Sequence, residues 1–176
     1  VNPGYKAYNR LVDSNFAGPD GGKFVDEYPV ETVPLSGDVD KAKEYLAAAM
    51  EELGYSDVSQ LPQLELITWD TSEQKLLLET IIDQWKQNLG LENIQLTQYV
   101  IGTAIGSFYD LSYDLFAITW ETDVLPTDIM EAMVTGGEVN YGIWSDAQFD
   151  SLVEQAINEL EPDKQAELTA QAEQIF

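Results

Sequence analysis

Apolar residues recur along this chain with two different spacings, and the places where the spacing changes outline its elements. From Asp38 the pattern is helical: Val39, Ala42, Tyr45, Leu46, Ala49, Met50 and Leu53 fall on one face, Asp38 stands ready to cap the start, and Gly54 supplies a left-handed stop. That face is expected to be core. After a linker containing Pro62 the run Leu64–Trp69 reads as a short strand, and Asp70-Thr71-Ser72 leads into a helix. Thr71 and Gln74 form a capping box ahead of the stripe Leu78, Ile81, Ile82, Trp85 and Leu89, which Gly90 closes. A second strand follows over Asn93–Tyr99, so strand, helix and strand make a βαβ unit.

The chain returns through a short helix or turn over Ile101–Tyr109 to a near-continuous apolar run, Tyr113–Thr119. This run is expected to be a strand covered on both faces. Numbered in order, these strands suit a wound parallel sheet of order 2-1-3, in which the crossover reverses direction beside the first strand. Beyond it, Pro126–Met130 begins a short helix that Thr135-Gly136-Gly137-Glu138 interrupts. Ser145 and Gln148 form a second capping box before Phe149, Leu152, Val153, Ala156, Ile157 and Leu160. Pro162 suits the first position of a last helix, whose Leu168, Ala172 and Ile175 share a side. Residues 1–37, rich in Pro and Gly, read as an irregular arm, and residues 38–176 as the α/β body. In the arm, Asp13-Ser14-Asn15 invites comparison with a calcium loop, but Ala17 and Phe24 occupy positions that need oxygen ligands.

Composition narrows the chemistry. The 176 residues carry 32 acidic against 8 basic side chains, a formal charge of −24, which argues against a nucleic-acid partner because no basic patch exists to release counterions. The absence of Cys and His removes disulfides, thiolate chemistry, the commonest general base and the commonest transition-metal ligand. No cofactor or metal site is expected. No apolar run approaches the roughly 20 residues of a membrane span, so no direct membrane insertion by this segment is expected either.

The residues that invite a function lie where the first and third strands end. Trp69, Asp70 and Thr71 leave one strand, and Trp120, Glu121, Thr122 and Asp123 leave the other. In a wound sheet these turns flank the switch point, where ligands bind. Two indoles beside carboxylates suit a ligand that carries a cation and an apolar body, and the capped helix start at Thr71-Ser72 offers free backbone amides. The same residues also suit plain structure, with both Trp side chains in the core and the Asp residues capping helices. A hydrolase built on paired carboxylates has Asp70, Glu121 and Asp123 as its candidates, and it requires a separation and a raised pKa that a sequence does not show.

Several segments in order resemble one family. They are Asp38-Val39-Asp40-Lys41-Ala42-Lys43 with Gly54-Tyr55; Gln84-Trp85-Lys86-Gln87-Asn88-Leu89-Gly90; Tyr113-Asp114-Leu115; Trp120 and Asp123 before a proline; Tyr141–Leu152; and Gln171–Ile175. Together they are similar to extracellular oligopeptide-binding proteins of ABC importers, the family 5 solute-binding proteins. The resemblance implies the C-terminal lobe of a longer, non-enzymatic binding protein of the periplasmic-binding-protein type II fold, periplasmic or lipid-anchored at the bacterial surface. The opening without Met and the uncapped helical pattern at Gln174-Ile175-Phe176 are expected of such a piece.

The partners implied by the resemblance are an oligopeptide and the transporter's permease subunits. It also implies that Asp123 pairs with the peptide's α-ammonium group, that Trp120 flanks the peptide backbone, and that Tyr99 lines a side-chain pocket. Trp69 and Asp70 are expected to border the cleft. Glu121 adds a second negative charge that either biases the site toward basic ligands or faces solvent. A non-peptide ligand, such as a sugar or metal chelate, is the alternative within the same fold.

Overall fold

The structure, a computed structural model, describes residues 16–29, 37–118 and 126–176. The chain divides into two compact units, one of residues 38–120 and one joining residues 1–37 to 121–176.

In the 38–120 unit, α2 (Val39–Leu53) starts where Asp38 accepts the Lys41 amide at 2.9 Å and ends at Gly54, whose φ of 70° is the left-handed geometry that glycine adopts freely. Parallel strands β1 (Leu64–Trp69) and β2 (Ile94–Tyr99) pair from Leu64↔Ile94 to Trp69↔Tyr99. Between them runs α3 (Ser72–Leu89), capped by the Thr71 hydroxyl on the Gln74 amide and stopped by Gly90 at φ 72°. After α4 (Ile101–Tyr109), β3 (Leu115–Phe116) pairs with β1 on its other side, and the order is β2-β1-β3. The expected α/β sheet of order 2-1-3 is therefore present. Leu66, Ile67, Leu78, Ala104 and Phe108 form its buried interior.

Two expectations for this unit need correction. The third strand is a two-residue ladder rather than a seven-residue one. Asp114 is exposed and turns its carboxylate to the Glu65 amide at 2.8 Å, and past Phe116 the Ala117 carbonyl receives the Thr68 hydroxyl at 2.7 Å. Leu115 and Phe116 are half-buried, and Thr119 lies outside the described residues. The apolar face of α2 is also largely open. Met50 is buried, Ala42 and Leu46 are half-buried, and Tyr45 and Leu53 stay 65% and 56% exposed. Periodicity reports a face that is able to be buried, and here α3 covers part of it.

In the other unit, α5 (Pro126–Met133), α6 (Ala147–Asn158) and α7 (Pro162–Glu173) form a helical layer, with Pro162 in the first turn of α7 as its fixed φ favours. Part of the Pro- and Gly-rich opening is ordered against this layer. Glu27 accepts the Asp20 and Gly22 amides, Ala17 bridges Lys23, and the four-residue α1 (Phe24–Glu27) places Phe24, 1% exposed, in a core with Met130, Phe149, Val153, Ala170 and Ala172. Phe24 is thus an apolar core residue, in keeping with its unsuitability as a calcium ligand; Asp13, Ser14 and Asn15 lie outside the described residues. The cap of α6 also differs from expectation. Asp146, not Ser145, accepts the Gln148 and Phe149 amides, while the Ser145 hydroxyl pairs with that of Thr135 at 2.9 Å.

Candidate functional site at the end of the parallel sheet

The parallel pairing of β1 and β2 runs to their C-terminal residues, so Trp69 and Tyr99 are register partners on adjacent strands. Both are half-buried. The ladder then extends one step into the loop, where the Asp70 amide donates to the Tyr99 carbonyl at 2.8 Å. Asp70 itself is exposed, one residue past the Trp69–Tyr99 pair.

Short-range bonding shapes this edge. The Thr71 amide donates back to Trp69 O at 2.9 Å, and the Thr71 hydroxyl accepts the Gln74 amide at 3.2 Å, which starts α3 two residues after Asp70. From the neighbouring strand, Gln98 Nε2 reaches the Thr71 carbonyl at 3.0 Å and the Trp69 carbonyl at 3.4 Å. On the other side of β1, Thr68 is fully buried and its hydroxyl donates to Ala117 O, tying the exit of β3 to the central strand. Sequence reading missed Gln98 and Thr68. A polar residue near a strand end carries no periodic signal, and its partner is visible once the strands are side by side.

Of the expected site residues, the structure brings together Trp69, Asp70 and Tyr99. Trp120, Glu121, Thr122 and Asp123 lie outside the described residues. In the same unit, a hollow of about 560 Å³ lined by Leu46, Met50, Tyr55 and Val58 contains none of the expected site residues. Among the described residues, no cluster of three or more carboxylates is arranged to hold a metal ion, and no helix is long and apolar enough to cross a membrane.

No protein-family model matches the chain. It is 30% identical over 142 residues to the oligopeptide-binding protein OppA of Bacillus subtilis (strain 168), an alignment covering 79% of this chain and 26% of that protein. It is 26% identical over 172 residues to the dipeptide-binding protein DppE of the same organism, covering 97% of this chain and 30% of the relative. Among solved structures, the substrate-binding domain of an oligopeptide ABC transporter from Bacillus anthracis str. Ames superposes with a TM-score of 0.79 at 25% identity, over all of this chain and 33% of that one. In sequence and in fold, the chain is similar to substrate-binding proteins of oligopeptide ABC transporters, and it spans between 26% and 33% of the length of these three relatives.

Proposed function

We propose that the chain is part of the substrate-binding component of an ABC importer, which holds an extended oligopeptide in a cleft between lobes and performs no catalysis. The observation that carries this reading is the sequence similarity to an oligopeptide-binding protein, extending over most of the chain and accompanied by the same fold. The edge of the parallel sheet, with half-buried aromatic residues and an exposed acidic one, supports it. Trp69 and Tyr99 offer apolar surface as register partners on adjacent strands, and Asp70 offers a negative rim suited to a cationic group.

In this reading Asp123 supplies the carboxylate that pairs with the peptide's α-ammonium group, with Trp120, Glu121 and Thr122 beside it in sequence. A charge-assisted bond of this kind is worth far more in a closed cleft than in water. The partners are the peptide and the permease subunits, and the location is extracytoplasmic.

The test is calorimetric titration of the intact protein with a series of short peptides, each with a free and with an acetylated N-terminus. Binding is expected for the free series and loss of binding for the acetylated one. Replacing Asp123 by Ala is expected to weaken the free series by about 2–5 kcal/mol, because an ammonium group left unpaired in a dry site is costly. Equal affinity of the two series discards the ammonium anchor. Turnover of the peptides discards the non-catalytic reading.

A further inference from the structure

We infer that Gln98 is a positioning residue. Its side-chain amide pins the turn between β1 and α3, and thereby sets where Trp69 and Asp70 stand relative to Tyr99. The functional part of this inference rests on the reading of this sheet edge as peptide-facing.

The backbone ladder between β1 and β2 ends at Trp69↔Tyr99, followed by the Asp70 amide on the Tyr99 carbonyl. Past that point the chain leaves the sheet, and Gln98 carries the connection further. Its Nε2 lies 3.0 Å from Thr71 O and 3.4 Å from Trp69 O, the carbonyls on either side of Asp70. A primary amide has two N–H donors and so matches two acceptors; the flipped amide would set its oxygen against both carbonyls.

The length of the side chain matters too. Gln98 is level with Thr68 in the register, three residues before Thr71, and its side chain covers that offset to reach Thr71 O. The pinned residue has further duties. The Thr71 carbonyl also accepts the Lys75 amide at 3.1 Å, the first helical bond of α3, and the Thr71 hydroxyl caps the Gln74 amide. One amide on β2 therefore fixes both the exit of Trp69 and Asp70 from β1 and the start of α3. The expected binding residues on two strands are coupled through a side chain that itself need not touch ligand.

Three substitutions in the intact protein separate this role from simple packing. Gln98→Leu keeps much of the volume and removes the donor, Gln98→Glu presents an acceptor to two acceptors, and Gln98→Lys restores a donor. In ligand-free protein, amide hydrogen exchange at Asp70 and Gln74 is expected to speed up about three- to tenfold in Gln98→Leu, as loss of one net hydrogen bond predicts. It is expected to speed up more in Gln98→Glu and to return toward wild type in Gln98→Lys. Amides of α6 serve as the unaffected control. Affinity for the free-N-terminus peptide series is expected to fall in the same order.

Unchanged exchange at Asp70 and Gln74 in both Gln98→Leu and Gln98→Glu overturns the positioning role. Faster exchange with unchanged peptide affinity overturns its link to the ligand. If wild-type protein binds none of the peptides, the proposed function fails, and the exchange series alone decides whether Gln98 holds the turn.

Discussion

Asp146 accepts the backbone amides of Gln148 and Phe149 at 2.8 and 2.9 Å, and so satisfies two of the donors that the first turn of α6 leaves free. Ser145, one residue earlier and an equally good capping type, instead pairs its hydroxyl with Thr135. Replacing Asp146 by Ala is therefore expected to destabilise the protein by about 0.5–2 kcal/mol. Replacing the exposed Ser145 by Ala should cost within about 0.5 kcal/mol, as surface changes usually do. Urea titration of the two variants checks the order, and a larger loss for Ser145→Ala would reverse the assignment. Asn140 shows the same residue-scale logic in the preceding loop. Buried at 8% exposure, it donates to the carbonyls of Met133, Val134 and Trp144 and accepts the Trp144 amide, closing the turn that carries Ile143 at a φ of 50°. A β-branched residue rarely adopts that angle, and the bonds of Asn140 hold the turn in place around it.

Among elements, α6 anchors its unit. Phe149 is fully buried, meets Trp144 edge-on with centroids 5.0 Å apart, and shares its core with Phe24, Met130, Val153, Ala170 and Ala172. Replacing Phe149 by Ala is expected to cost about 3–5 kcal/mol, the lost transfer energy plus the cavity left behind. Denaturation followed at the Trp144 indole resonance reads the loss locally, and a change under about 1 kcal/mol would mean that the site collapses around the smaller side chain. The end of α6 is tied to α7 by Gln165, whose Nε2 donates to Ala156 O at 2.9 Å. α2 has the same kind of apolar periodicity as α6, yet it leaves Tyr45 and Leu53 to solvent. The contrast arises because burial depends on what stands opposite a helix, and a helical pattern does not encode its neighbour.

For the whole molecule, with 32 acidic against 8 basic side chains, carboxylates dominate the charge. Burial raises the Tyr28 hydroxyl above its ordinary value, and the carboxylates of Glu167, Asp163, Glu27 and Asp20 raise it further; burial alone raises Tyr113, which packs on Phe108 and Phe116. A hydroxyl whose folded pKa is raised contributes stability that is intact below its unfolded value near 10 and lost as pH climbs through the folded one. Stability is therefore expected to fall above about pH 10, and the double variant Tyr28→Phe, Tyr113→Phe to flatten that fall in pH-resolved urea titrations. On the acid side the signs reverse. The Ser59 hydroxyl and amide hold Asp57 low, and the amides of Glu161 and Leu160, with Lys164, hold Glu159 low. Their contributions are present above the ordinary carboxylate range and lost as pH falls through their folded values.

The chain's own order of residues determined the elements whose signals are local: α2 between Asp38 and Gly54, α3 between Thr71 and Gly90, the strands at Leu64–Trp69 and Ile94–Tyr99, and Pro162 opening α7. Caps, left-handed glycines and periodicity act over a few residues, so they can be read without a partner. The order β2-β1-β3 also followed, because few wound arrangements satisfy short parallel crossovers. Tertiary structure decided the rest. It set how little of Tyr113–Thr119 pairs as strand, that Phe24 in the opening segment fills a core, that α2 keeps an open face, and that Trp69 meets Tyr99 in register with Gln98 holding the turn between β1 and α3. Each of these depends on groups far apart in sequence, and a hydrogen bond or a buried face exists once the fold has put its other half in place.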